Sequence, residues 1–484
     1  VFEKRIDMIK VERPKDRSLV EKVVQEGQGH VFRFWEGLSD ESRERLLAQL
    51  RNIDFEILNQ LQNKMLGSTD KKKVRDVLEP VEVIPIPETA VQRSEAEKAK
   101  MIGEEFIRSG KVAAFLVAGG QGTRLGFDGP KGAFPVGPVT GKSLFQMHAE
   151  KILAAGQTYG VNIPWLIMTS ETNDGATQQF FRETDFFGFK EEDIFFFTQR
   201  MIPALDEKGE LILDGQDHIF MNPNGHGGSL LALDESGTLD VMKHRGVEIL
   251  SYFQVDNALI KIIDPIFIGY HVQGGAEMSS KMVKKRDQWE KVGVFGKLDG
   301  KLKVIEYSDL SEEDMAAQNP DGSLKYGAGS IAIHLINSDF VKKEVRDGFK
   351  LPYHIAHKKI PYLDEKGELI SPERPNSYKF ETFIFDALSD TTHSVVMGIV
   401  REEEFSPLKN SSGSASAETV RRDLCNHFGR WLESAETEVP RDENGDVDEL
   451  IEISPLYAMD RDMFVKKIPR GFRFHGALYL GPES

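Results

Sequence analysis

The sequence predicts an α/β protein, a mixed sheet covered by helices with a helical region before it and a small module after it. Two observations carry this expectation. From Phe115 to about residue 400, short apolar runs of strand length alternate with helical patterns. Several of those runs end directly in glycine-rich or acidic loops, where open α/β sheets hold their ligands.

Taken in order, residues 1–100 form the helical N-terminal region. Leu19 to Met65 is mostly helical and charged, with an apolar stripe of Leu46, Leu47, Leu50, Ile53, Phe55, Ile57 and Leu58. Pro80, Pro85 and Pro87 forbid a helix and make an extended linker, after which a helix runs from about Ser94 to Ser109. Residues 101–400 are the sheet domain. Its strand candidates are Phe115–Ala118, Trp165–Met168, Ile194–Phe197, Glu248–Phe253 and Ser330–Ile333, and a helix from Leu144 to Ala155 starts with Ser143 near its cap. Residues 401–484 make the terminal module, with an acidic, turn-rich stretch from Glu433 to Asp448 and short strands at Ile451–Ile453 and Gly476–Gly481.

Composition narrows the partners. The formal net charge of −17 disfavours nucleic acid, although a local basic pocket for a small polyanion is compatible with it. A single cysteine, Cys425, excludes an internal disulfide and a multi-cysteine metal site, and fits a reducing, cytoplasmic setting. No run of apolar residues is long enough to span a membrane. The chain opens on Val1, which leaves a preceding or removed targeting segment open.

The densest chemistry lies in FLVAGGQGTRLGFDGPKGAFPVG, from Phe115 to Gly137. An apolar strand meets Gly119, Gly120 and Gly122, so backbone N–H groups can crowd into one concavity, and Arg124 and Lys131 stand at a reach suited to a polyphosphate. A dinucleotide fingerprint fits poorly, because Leu125 occupies the place of the third glycine. Gly137 to Ser143 resembles a phosphate-binding P-loop but has one residue too few between its glycines, so Lys142 and Ser143 read as an ordinary helix start. Four further stretches sit at expected strand ends: the Gly225–Gly228 loop with His226, Asp256 after an apolar run, the Phe383/Phe385 pair expected to share one strand face, and Lys409 behind an acidic cluster. A lone strand-end aspartate suffices for nucleotide-bound magnesium, which takes one or two protein carboxylates.

Together these stretches resemble one family. Leu116 to Gly126 followed by Pro130-Lys131 is similar to the uridylyltransferase signature L-x-x-G-G-x-G-T-x-x-G with P-K after it. The likeness continues through Gln199, the Gly225–Gly228 loop, Val255–Asn257, Val304–Ser308, Lys379–Asp386 and Glu402–Asn410. The set resembles the eukaryotic-type UDP-N-acetylhexosamine pyrophosphorylases, relatives of UDP-glucose pyrophosphorylase. The resemblance implies a Rossmann-like, glycosyltransferase-A-like nucleotidyltransferase sheet, and an Mg²⁺-dependent reaction of UTP with a sugar 1-phosphate that yields a UDP-sugar and pyrophosphate. It implies that Arg124 and Lys131 hold the departing pyrophosphate, and that Lys409 contacts the sugar phosphate or the α-phosphate. Leu116, Ala118, Gly119, Gly120, Gln199, Gly225 and His226 are implied at the nucleotide, with Gln199 on uracil. Asp256 is implied as the metal ligand, and Gly227, Asp256, Glu306, Tyr307, Ser330, Phe383 and Phe385 are implied at the sugar.

Two departures bear on which sugar. Acetamido-sugar members carry Gly-Asn-Gly-Gly where this chain has His226, and an asparagine where it has Ser330. Against these, the phenylalanine pair and the Glu402–Lys409 loop favour N-acetylglucosamine 1-phosphate, with glucose 1-phosphate as the alternative. A non-catalytic nucleotide-sugar sensor on the same scaffold is the competing class.

Overall fold

A computed structural model describes residues 9, 11, 13–67, 78–346 and 348–483. The chain forms two compact units, each assembled from three stretches. The larger comprises Lys73–Gln199, Ser229–Lys350 and Ile384–Ser484, and the smaller comprises Val1–Lys72, Arg200–Gly228 and Leu351–Phe383.

The larger unit is built on a mixed, 10-stranded sheet. Its principal strands are β1 (Val112–Val117), β2 (Trp165–Thr169), β3 (Ile194–Thr198), β4 (Ile249–Gln254), β5 (Met278–Lys284), β6 (Val294–Leu298), β7 (Ala328–Asn337) and β8 (Val396–Ile399). Across it, β6, β7, β4, β1, β2 and β3 follow one another. β4, β1, β2 and β3 are parallel, whereas β7 runs antiparallel to β4. The unbroken apolar sequence of β1 is what such a buried parallel strand requires, and only its last residue is not fully buried.

Every strand expected from the sequence in this region is present. The expected helix after Ser143 is α2 (Leu144–Tyr159), since the Ser143 hydroxyl accepts the Gln146 N–H at its start. The helix before β1 is α1 (Ala90–Arg108), opened by a capping box at Thr89. Lys142 is buried and spoken for: its Nζ lies 2.8 Å from Glu150 and donates to the Tyr479 hydroxyl. A P-loop lysine has to be free for phosphate, so this contact agrees with an ordinary helix start and not with a phosphate-binding P-loop. The same polar group anchors the terminal strands, because Ser454 donates to Glu150 and Glu452 accepts the N–H groups of Val139 and Thr140. Those strands, Ile451–Ile453 and Leu478–Leu480, pair in parallel.

The smaller unit has its own core. Helices Pro14–Gln25, Asp40–Asn52 and Phe55–Gly67 bury Val20, Leu46, Leu47, Leu50 and Leu58 against Ile202, Leu205, Leu213, Ile219 and Phe380 from the other two stretches. Strands Tyr353–Lys358 and Ser377–Thr382 pair antiparallel within it. One expectation is corrected here. The strand ends at Thr382 and a 3-10 helix covers Ile384–Asp390, so Phe383 and Phe385 do not alternate along one strand face. The turn separates them: Phe383 belongs to the smaller unit and Phe385, 7 % exposed, to the core of the larger.

Candidate functional site

The register of the parallel strands brings the expected nucleotide residues to one edge of the sheet. Val117 of β1 lies opposite Gln254 of β4 and Met168 of β2, and Thr169 lies opposite Thr198 of β3. Gly119, Ser170, Gln199 and Asp256 therefore all fall within two residues of the carboxyl ends of neighbouring strands.

The glycine loop is held by its carbonyls. Asn173 Nδ2 donates to Ala118 O at 2.7 Å, Ser170 Oγ donates to Gly119 O at 2.9 Å, and the Lys131 N–H donates to Gly120 O at 3.1 Å. By contrast, the N–H groups of Gly119 and Gly120 find no partner among the described residues. Acceptors fastened inward and donors left over make a surface that wants an acceptor from outside. A Cβ at Gly119 would stand 2.5 Å from Gln199 Nε2, so any side chain there would displace the Gln199 amide. The Gln199 side chain is 5 % exposed, and its Oε1 is buried without a hydrogen bond. An orphaned buried amide oxygen is rare and energetically unfavourable in a native protein unless a ligand completes it. Leu116 and Ala118 are buried, so Ala118 reaches this region through its backbone and Leu116 serves as core beneath it.

Three cations surround this edge in sequence and structure. Arg124 stands exposed in the short turn Thr123–Leu125, and the Lys131 side chain runs over the loop with its Cε 3.9 Å from the Cβ position of Gly120. Lys409 is exposed at the end of a loop laid against the strand β4 extension, where the Leu408 N–H donates to Asp256 O at 2.8 Å. None of these three side chains has an ion pair or hydrogen bond among the described residues, in a protein whose other lysines and arginines form many. The Asp256 carboxylate, 7 % exposed, is likewise without an internal partner. No group of three or more potential metal ligands exists among the described residues. A single buried hard-oxygen donor matches Mg²⁺ carried by phosphate oxygens rather than a protein-made cage. Below Asp256, His148 Nε2 donates to Val255 O at 3.0 Å, and burial, with Lys151 nearby, lowers its pKa to about 3, which keeps it neutral.

The remaining expected residues fall into two groups. In the larger unit, Glu306 and Ser330 flank Gly293: the Glu306 carboxylate lies 3.3 Å from the Cβ position of Gly293, and the Ser330 N–H donates to Gly293 O at 2.8 Å. Tyr307 next to them is exposed. In the smaller unit, Gly225 adopts φ +80°, and a side chain there would run into the Thr382 carbonyl. Gly227 packs on the Phe383 backbone, with a Cβ position 2.7 Å from Phe383 N. Phe383 itself lies between two imidazoles, His226 with ring centroids at 5.2 Å and His354 at 4.4 Å. Ser170, Asn173 and His354 were not singled out from sequence. Ser170 and Asn173 immediately follow a strand candidate in a turn-forming S-x-x-N pattern that could have marked them, whereas nothing local marks His354.

A glycine loop with unclaimed N–H groups, an orphaned amide and unpaired cations at the carboxyl edge of parallel strands defines an α/β protein that takes a nucleotide polyphosphate. The family model of UTP–glucose-1-phosphate uridylyltransferase matches residues 55–438, and the chain belongs to that family. It is similar to the human UDP-N-acetylhexosamine pyrophosphorylase-like protein 1, 38% identical over 458 residues that cover 89% of this chain and 90% of that protein. It is also similar to UDP-N-acetylglucosamine pyrophosphorylase of Saccharomyces cerevisiae, 37% identical over 433 residues, 85% of this chain and 90% of the other. Among solved structures, the uridine diphosphate N-acetylglucosamine pyrophosphorylase of Trypanosoma brucei in complex with an inhibitor superposes with a TM-score of 0.80 at 28% identity, covering 94% of this chain and 95% of that one.

Proposed function

We propose that the protein transfers a uridylyl group from UTP to N-acetylglucosamine 1-phosphate, forming the UDP-sugar and pyrophosphate. The observation that carries this reading is the Gln199 amide, buried with an unbonded oxygen beside the unclaimed N–H groups of Gly119 and Gly120. A uracil edge offers both a donor and acceptors, and this trio presents the complement. The names of the relatives supply the acetamido sugar.

In this reading an oxygen of the sugar phosphate attacks the α-phosphorus in line, the bond to the β-phosphate oxygen breaks, and pyrophosphate departs with the electron pair. Arg124 and Lys131 neutralise the departing group, and Lys409 meets the sugar phosphate or the α-phosphate. The nucleophile arrives ionised, so no general base is required. Asp256 would hold Mg²⁺, which when bound spreads charge over the phosphate oxygens. Glu306, Tyr307, Ser330 and Phe385 are assigned to the sugar. We place the activity in the cytoplasm, on the single, buried, free cysteine.

Glucose 1-phosphate is the second reading, favoured by His226 stacked on Phe383. Initial rates of pyrophosphate release with UTP and Mg²⁺, run with N-acetylglucosamine, N-acetylgalactosamine and glucose 1-phosphates, separate the two. A preference of about tenfold or more for an acetamido sugar, ~1.4 kcal/mol in the transition state, supports the first; the reverse order transfers the assignment to glucose. No release with any of them overturns uridylyl transfer.

A further inference from the structure

The loop that presents Lys409 is fastened some way from it by a buried cluster of charges. Lys281, on β5, is 0 % exposed, and its Nζ lies 2.6 Å from Asp264 Oδ2 and 2.5 Å from Glu404 Oε2. Lys261 approaches the other oxygen of Glu404 at 3.4 Å. Taking such charges out of water is expensive, and an apolar set of equal volume would serve stability as well, so the arrangement calls for another reason.

That reason is visible in what Glu404 holds. Its carbonyl accepts Asn257 Nδ2 at 2.7 Å, Asn257 Oδ1 accepts the Ser406 N–H at 3.0 Å, and the Ala258 N–H donates to Ser406 O at 3.3 Å. The Leu408 N–H then donates to Asp256 O at 2.8 Å, and Lys409 is the next residue. Residues 404–408 are thus laid along 256–258, with Asp256 at one end of the seam and Lys409 beside it. Lys281 sets the far end of that seam by gripping the Glu404 side chain.

We propose that Lys281, acting through Glu404, is a positioning residue that sets Lys409 against Asp256 for uridylyl transfer. This rests on the reading of Lys409 given above. A misplacement of a reacting group by about an ångström can lower turnover by as much as ~100-fold. Loss of Lys281 should therefore lower kcat while leaving the KM for UTP near its native value, because Gln199 and the glycine loop are untouched.

The test is a double-mutant cycle on the full chain, reading pyrophosphate release from UTP and N-acetylglucosamine 1-phosphate with Mg²⁺. Lys281→Met is expected to reduce kcat about tenfold or more, but to add less than about twofold in a Lys409→Ala background, where the group it places is gone. Equal fold-losses in both backgrounds, or a folded Lys281→Met with native kcat, overturn the proposal. Should Lys281→Met fail to fold, Glu404→Gln, which keeps the Lys281 pair with Asp264, carries the same cycle to the same two outcomes. A native protein that releases no pyrophosphate with any of the three sugar phosphates overturns the uridylyltransferase reading instead. An active native protein with an additive cycle overturns only the positioning role.

Discussion

The two units treat the residues proposed for function in opposite ways. In the larger unit Arg124, Lys131, Lys409, Asp256 and the Gln199 amide are held with no partner of their own among the described residues. In the smaller unit Gly225, His226, Gly227 and Phe383 are engaged with one another and with Thr382 and His354. Groups left incomplete by the fold are kept for a ligand's charge and hydrogen bonds, whereas groups completed by the fold set a shape. The same contrast implies that substitutions in the first set will spare stability and remove activity, and that substitutions in the second will cost stability as well.

The largest effect expected is at Arg124. It stands exposed in a short turn with no ion pair or hydrogen bond among the described residues, so Arg124→Ala should leave the unfolding free energy from urea titration unchanged within about 0.5 kcal/mol. Turnover should fall by ~10²–10³, the loss typical of removing one preorganised charge-stabilising donor. An unchanged kcat would remove the phosphate role from this residue, and a large loss of stability would break the contrast between the units.

Gly225→Ala is the mirror experiment. With φ at +80° and the Thr382 carbonyl in the path of a Cβ, both strain and collision oppose the methyl group. A loss of ~2–3 kcal/mol in equilibrium unfolding is expected. A neutral substitution would mean that the loop is not fixed by packing and that its glycines serve a ligand directly.

Gln199→Leu sharpens the comparison further, because the two readouts should move apart. Replacing a buried orphan amide with an apolar group of similar size is near neutral or stabilising for the fold. The lost uracil contact should raise the KM for UTP by about tenfold, ~1.4 kcal/mol, with a smaller change in kcat. Parallel loss of stability and affinity would show that Gln199 is structural.

The sequence made the larger unit's sheet and nucleotide edge readable because the signals there are local. Apolar runs ending in Gly119, Gln199 and Asp256 announce strand ends, and the Ser143 cap announces α2. The smaller unit was far less legible. Its core joins Leu46 and Leu50 to Ile219 and Phe380, and no local pattern tells which distant stretches share a core. The phenylalanine pair failed for a related reason: period-two spacing signals a strand only while the strand continues, and the chain leaves it at Thr382. Lys281 and Glu404 were invisible as a pair because ordinary charged residues at a separation of 123 positions carry no joint signal.

Acid separates the two units more gently than any substitution, and in a predictable direction. In the larger unit burial lowers the pKa of His148 to about 3 and of His271 to about 4, and places His427 well below the ordinary value. Between pH 6.5 and 4 the unfolded chain takes up protons that these native histidines refuse. Stability therefore falls with pH, by about 1.4 kcal/mol per pH unit for each histidine fully neutral in the fold and charged outside it. Glu344, pushed up to about 7 by burial, works against this, since its protonation in the fold favours the native state as pH falls. In the smaller unit the hydrogen bond that His218 Nδ1 donates to the Asp214 carboxylate raises the pKa of His218, so its contribution is fully present in acid and is lost only as pH rises through the folded value. Hydrogen exchange at pH 7 and pH 5 should thus show protection falling in α2 and β4 while strands Tyr353–Lys358 and Ser377–Thr382 hold. His148→Gln, whose amide can still donate to Val255 O, should flatten the acid limb. An unaltered limb would mean that His148 is not the group being titrated, and equal loss in both units would mean that they unfold as one and that the contrast between them stops at the site.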